Sequence, residues 1–266
     1  MNLSLKQLFI AGQSGRVEVV SLPARLVGFL TAFLAVTLVF SYAFHGLQYT
    51  WGWEAVWAYR QKFAQGWLVT VLISAAALVV SLLIGLFFAL GQKSRFLPLR
   101  SFSKLYIEII RGTPLLVQIL IFFYVVADAF GVGNRYVVGT LVLSFFAGAY
   151  ICEIIRAGIE SIGESQLDSA RAIGLTRVQI YRHVVFPQVI RQILPPLAGQ
   201  FASLIKDSSL LSIIAISEFT LNAQEVNAYT YSTLESYLPL AVGYLVLTLP
   251  ISLASRLLER KYRYAT

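Results

Sequence analysis

Ionisable side chains are scarce in this sequence. Charged residues make up 13% of its 266 positions and hydrophobic ones 58%, against roughly 25% and 45–50% in soluble domains, a surplus of apolar surface that a soluble core cannot hide. The single cysteine, Cys152, excludes a disulfide framework and a thiolate-rich metal site. Two histidines, His45 and His183, lie far apart in the chain and leave zinc or haem little to bind. Neither neighbours a Ser or Asp within an apolar run, so a Ser/His or metal-based intramembrane enzyme lacks its base. The sequence also has no G-x-x-x-x-G-K-[S/T] loop in which nucleotide phosphates would lie. The expectation is a protein that is not an enzyme.

What the chain does have is long apolar runs. Leu26 to Phe44, Leu68 to Leu90 and Tyr237 to Ser255 carry no charge, and each approaches the ~20 residues that cross a bilayer as a helix. Less clean runs follow Gly112, Arg135 and Arg191, which brings the reading to an all-α membrane protein of about six transmembrane helices. When successive loops alternate sides, Lys6, Arg16, Arg25, Lys93, Arg95, Arg100, Lys104, the Arg-rich 164–187 segment, Arg256, Arg260, Lys261 and Arg263 share one face. Arg60, Lys62 and Arg135 share the other. The positive-inside rule makes the first face cytoplasmic and places both termini there. The net charge of +8 is then a topology signal, and with no single basic face it does not indicate nucleic acid. The first run is too long for a signal peptide and lacks a small-residue cleavage site, so it reads as an uncleaved anchor. Trp51, Trp53, Trp57 and Trp67 suit an outer interfacial belt.

Polar groups interrupt this pattern at a few places. The tetrapeptide EIIR occurs twice, at Glu108 to Arg111 and Glu153 to Arg156, each placing an acid and a base at i, i+3 on one helix face. Both lie at the inner interface, where they read as ion pairs that anchor helices. RGTP, Arg111 to Pro114, reads as a helix start or a kink, since proline is tolerated in a first turn. ESQLDSARAIGLTRVQIYRHVVFP, residues 164–187, reads as a helical hairpin. Its first helix runs from about Glu164 to Ile173 with Leu167, Ala170 and Ile173 on one face, and Gly174 stops it in the left-handed region. Thr176 and Gln179 have the spacing of a capping box. The second helix exposes Arg177 and Arg182, buries Val178, Tyr181 and Val185 by period, and ends near Pro187. Such a capped hairpin suits docking onto a protein or onto lipid headgroups, and Glu160, Glu164 and Asp168 favour the protein.

YIEIIRGTPLLVQ, AYICEIIRAGIESI, the hairpin with FPQVIRQILPPL, and LIKDSSLLSII stand in an order that resembles the membrane subunit of bacterial ABC importers of the polar amino acid class, over about Gly66 to Arg260. The resemblance implies a permease subunit in the bacterial inner membrane, forming the path for a polar or charged amino acid with a second permease, identical or sister. It implies two ABC ATPase subunits that carry the ATP and Mg, a periplasmic or lipid-anchored amino-acid-binding protein, surrounding membrane lipids, and no cofactor in this chain. It divides the chain into residues 1–65, with the N-terminal cytoplasmic segment, an extra transmembrane helix and an aromatic outer loop; residues 66–260, the permease domain with a coupling loop at 157–196; and a cytoplasmic tail at 261–266. The cytoplasmic helical coupling hairpin is then the EAA loop, gripped by the ATPase through Glu164, Asp168, Ser169, Ala170, Arg171 and Gly174. Such loops usually read Glu-Ala-Ala where this chain has Asp168, Ser169 and Ala170. The alternative is a secondary transporter or channel working alone, which needs no capped handle and more often shows internal repeats.

A substrate site is expected where LAGQFASLI leads into KDSS. Ten residues of helix climb ~15 Å, which places Lys206 and Asp207 near the midplane, where a charge costs roughly 2.5–3.5 kcal/mol on insertion scales. Either the two form a structural pair at a helix break, or the break exposes a helix N-terminus at Ser208 and Ser209. In the second case free N–H groups would hold a substrate carboxylate, with Asp207 meeting its ammonium and Lys206 holding the break. Glu153 and Gln118 are the secondary candidates.

Overall fold

The computed structural model describes residues 12–14, 17–19, 22–45 and 49–262. Lys6, Arg16 and Arg263, three of the charges that set the expected topology, lie outside the described residues. Two compact units make up the chain, Met1–Trp51 and Gly52–Thr266. In the first, β1 (Gly12–Ser14) pairs antiparallel with β2 (Val17–Val19), Gly12 opposite Val19. After it comes α1 (Leu22–His45), whose Phe29, Leu30, Phe33, Leu38 and Val39 are all exposed. A helix that is apolar all round is built for lipid or for another apolar partner.

Helices joined by short turns make up the described residues of the second unit. It contains α2 (Trp53–Ala58), α3 (Arg60–Gln92), α4 (Leu97–Gly112) and α5 (Leu115–Ile121). After α5, the chain passes through a wide π turn (Phe122–Ala127) to α6 (Arg135–Glu160) and the hairpin helices α7 (Glu164–Ala172) and α8 (Arg177–Ile180). A second wide turn (Tyr181–Val185) leads into α9 (Phe186–Asp207), which tightens to a 3-10 segment (Ser208–Ile214). The last two helices are α10 (Phe219–Thr230) and α11 (Thr233–Tyr262).

The α3–α6 pair forms the backbone of this unit, and small residues explain why. Gly66, Thr70, Ser74, Ala77, Ser81, Gly85 and Ala89 recur every three or four residues along α3, and all are buried. In lipid, helices associate through close packing rather than through apolar burial, and small residues let their backbones approach. A Cβ added at Gly85 would stand 2.6 Å from Ile151 Cγ2 and 3.0 Å from Gly148 O, and one at Gly148 would stand 2.7 Å from Ile84 Cγ2. Leu72, Val79 and Leu83 cover the opposite, exposed side of α3.

Among the described residues, four helices are long and apolar enough to cross a membrane: the α1 run, α3, α6 and α11. The α4–α5 pair makes a fifth if it counts as one span, although it bends by 111°. The RGTP stretch produces that bend: Thr113 is extended before Pro114, as the steric demand of proline requires. About six spans were expected, and the runs after Gly112 and Arg191 account for the difference. Leu115–Ala127 is only roughly 20 Å of helix, and α9 carries Arg191, Lys206 and Asp207.

Candidate functional site

The hairpin forms largely from local rules. Gly174 has φ +83° and ends α7, with Gly174 N–H donating to Arg171 O and Leu175 N–H to Ala170 O. Thr176 and Gln179 form both halves of the capping box: Gln179 N–H donates to Thr176 Oγ1 and Thr176 N–H to Gln179 Oε1. Asp168 accepts from Arg171 at 2.7 Å in an exposed ion pair, and Ser169 Oγ donates to Ser165 O. Glu164 opens α7.

Which side chains the hairpin buries differs from the expected period. Ala170 is 5% exposed and packs into the core of this chain with Ile180, Val185, Val189 and Ile193. Its methyl group is therefore unavailable to an outside partner. Val178 and Tyr181, both expected inside, are 75% and 64% exposed, and Ile173, expected on one face with Leu167 and Ala170, is 77% exposed. The wide turn is the reason: Phe186 N–H reaches back five residues to Tyr181 O, so the helical phase slips by one and burial falls on 180 and 185. That turn also lets the helix run on through Pro187, where an end was expected, because the missing proline N–H falls where the ladder is already widened. Ile173 lies beyond the last turn of α7, and Leu175 takes its place against the core.

The two EIIR motifs converge. Arg156 grips Glu153 with Nε at 3.0 Å and Nη2 at 2.9 Å, and donates to Glu160 at 2.5 Å. Arg111 crosses from α4 to donate to Glu153 at 3.2 Å, its guanidinium 5.6 Å from the centre of the Tyr150 ring. One carboxylate thus joins two helices. Gln118, almost fully buried, braces the α4–α5 bend by donating from Nε2 to Ile110 O at 2.7 Å and to Thr113 O and Oγ1.

At residues 206–209 the geometry corrects the sequence reading. The expected helix break is absent: Ser208 N–H donates to Leu204 O, and the chain continues as 3-10 helix. Ser208 Oγ donates to Ile205 O and Ser209 Oγ to Lys206 O, so these hydroxyls satisfy carbonyls and no row of free amides is offered to an anion. Lys206 is exposed and Asp207 half-buried.

The true reversal comes later, at Ala215 in the left-handed region (φ 56°), whose carbonyl accepts from Arg135 at 2.9 Å. Beyond it stands Glu218, which sequence reasoning missed. Its fully buried carboxylate caps α10, accepting from Thr220 N–H and Leu221 N–H at 2.8 Å each and from Tyr244 OH of α11 at 3.2 Å. Thr70 Oγ1 of α3 accepts from Phe219 N–H at 3.1 Å, so one turn ties three helices together. The lone acid in LLSIIAISEFTL was the available signal, since an acid isolated among apolar residues needs a local partner.

Beside this turn opens a cleft of about 630 Å³ lined by Tyr59, Lys62, Gln65, Tyr136, Asn222 and Glu225, among others. Lys62 and Glu225 form an ion pair there, and Asn222 Nδ2 donates to Lys62 O at 2.8 Å. Among the described residues, no group of three or more His, Cys, Asp or Glu is arranged to hold a metal ion.

Comparison with known proteins places this architecture. Residues 81–264 match the family of binding-protein-dependent transport system inner membrane components. The probable glutamine ABC transporter permease protein GlnM of Bacillus subtilis (strain 168) is 34% identical over 199 residues, covering 75% of this chain and 92% of the relative. The glutamine transport system permease protein GlnP of Escherichia coli (strain K12) is 32% identical over 213 residues, covering 79% and 97%. The crystal structure of an amino acid ABC transporter with histidines superposes with a TM-score of 0.74 at 35% identity, over 80% of this chain and all 100% of that one. The MetNI methionine ABC transporter, at 15% identity and a TM-score of 0.59 over 79% of this chain and 98% of that one, shares the fold. With the family pattern running through α3, the hairpin and α11, the chain belongs to the binding-protein-dependent transport system inner membrane components.

Proposed function

We propose that this chain is the permease subunit of an ATP-driven amino acid importer, and that its hairpin is where a separate ATPase subunit takes hold. The observation that carries the reading is the two-sided hairpin. Ala170, Ile180 and Val185 fasten it to the permease, while Ile173, Val178 and Tyr181 stand exposed beside the Asp168–Arg171 pair. Exposed apolar side chains grouped on a rigidly capped element mark a protein contact. Motion of the motor passes through α8 and the wide turn directly into α9. Glu164, Ser169 and Arg171 flank the contact, and Ala170 and Gly174 hold its shape.

The rest of the complex follows from the family. ATP and Mg reside on two ATPase subunits, a second permease, identical or sister, completes the path, and a binding protein delivers cargo to the opposite face. Both termini and the hairpin lie in the cytoplasm, with residues 1–65 as an added N-terminal part, 66–260 as the permease domain and 261–266 as a tail. Cargo is a polar amino acid, for which the glutamine permeases GlnM and GlnP and the transporter solved with histidines are the precedents. The cleft at Lys62 and Glu225 holds one charge of each sign, matching a zwitterion.

Reconstitution with the ATPase and binding protein tests the reading. Glutamine or histidine is expected to stimulate ATP hydrolysis and leucine is not. The Val178→Glu/Tyr181→Glu variant is expected to release the ATPase subunit while its melting midpoint stays at the wild-type value. Full cargo-stimulated hydrolysis in that variant refutes the docking assignment.

A further inference from the structure

At the end of α11, a cleft of about 710 Å³ opens against α9, lined by Arg191, Gln192 and Pro195 from α9 and by Arg256, Glu259 and Arg260 from α11. Arg256 and Arg260 are four residues apart and share a helix face. The walls are tied together: Ser255 Oγ donates to Pro195 O at 2.9 Å in a buried bond, and Ser161 Oγ donates to Gln192 Oε1. Three guanidinium groups thus line a preformed hollow with one carboxylate among its lining residues. Leu253 and Leu249 lie one and two turns along α11 from Arg256, Leu257 stands next to it, and all three are exposed, so an apolar strip adjoins the cationic hollow.

We propose that this cleft is a binding site for an anionic phospholipid, with the headgroup phosphate at Arg256 and Arg260 and the acyl chains along the leucines. Guanidinium groups match phosphate oxygens in bidentate geometry, and basic hollows between membrane helices hold acidic headgroups. A soluble phosphate or an acidic protein segment would meet Arg256 and Arg260 and leave the leucine strip unused. An amphiphile satisfies both. The bound lipid clamps α9, which continues into the hairpin, against α11.

The test is lipid retention by the purified complex, read by native mass spectrometry in detergent containing phosphatidylglycerol or phosphatidylcholine. Wild type is expected to retain phosphatidylglycerol selectively. Each Arg lost lowers retention about fivefold, so Arg256→Gln/Arg260→Gln lowers it about 25-fold. Arg256→Lys/Arg260→Lys, which keeps the charge and loses the bidentate fork, is expected between the Gln variant and wild type, which separates charge from folding. Three outcomes overturn the proposal: unchanged retention in the Gln variant, displacement of the lipid by millimolar inorganic phosphate, and loss of a protein subunit from the Gln variant with its lipid retained.

Discussion

Removing the Glu218 carboxylate tests how the turn between the 3-10 segment and α10 is held. In Glu218→Ala, the amides of Thr220 and Leu221 lose the acceptor they now meet at 2.8 Å. Phe219 N–H keeps Thr70 Oγ1 and Tyr244 OH keeps Thr220 Oγ1, and Thr70 Oγ1 loses only a long 3.5 Å donation to Glu218, so the loss falls mainly on two amide donors. A buried donor left without a partner costs about 1–3 kcal/mol, giving roughly 2–6 kcal/mol for the pair. At ~2–4 °C per kcal/mol for a chain of this size, the melting midpoint of the purified protein drops by roughly 4–24 °C. Asp is among the best N-cap residues, and Glu218→Asp reaches the same amides without Tyr244, so it recovers most of the loss. Glu218→Gln keeps one acceptor and turns an NH₂ toward the other amide, so it falls between Asp and Ala. The assay is thermal unfolding in detergent for all four proteins. A wild-type midpoint for the Ala variant, or an Asp variant no better than Ala, refutes the capping argument.

Gly85→Val forces a side chain into Ile151 and the Gly148 carbonyl; overpacking of this kind costs about 1–3 kcal/mol, seen as a lower melting midpoint and a smaller yield of intact protein. Gly174→Ala places a Cβ at φ +83°, a strain of about 1–2 kcal/mol, and is expected to speed hydrogen exchange at the amides of α7 and α8 while exchange in α3 stays unchanged.

Some of this molecule was settled by neighbours in sequence. The scarcity of charge and the long apolar runs decide the solvent, since helix is the one way a single apolar segment can satisfy its backbone in lipid. Gly174, Thr176 with Gln179, and the Thr113–Pro114 bend act through bonds or clashes within a few residues, so they can be read without knowing the fold. The hairpin's buried face could not. Its phase depends on a wide turn at Tyr181–Val185, and counting by 3.6 put Val178 and Tyr181 inside when they stand outside. Two other features needed tertiary structure: the Arg111–Glu153 bond between helices and the hold of Glu218 on Thr70 and Tyr244. In each, a polar atom must find a partner, and sequence shows that one is required without showing which distant residue the packed helices bring within hydrogen-bond reach.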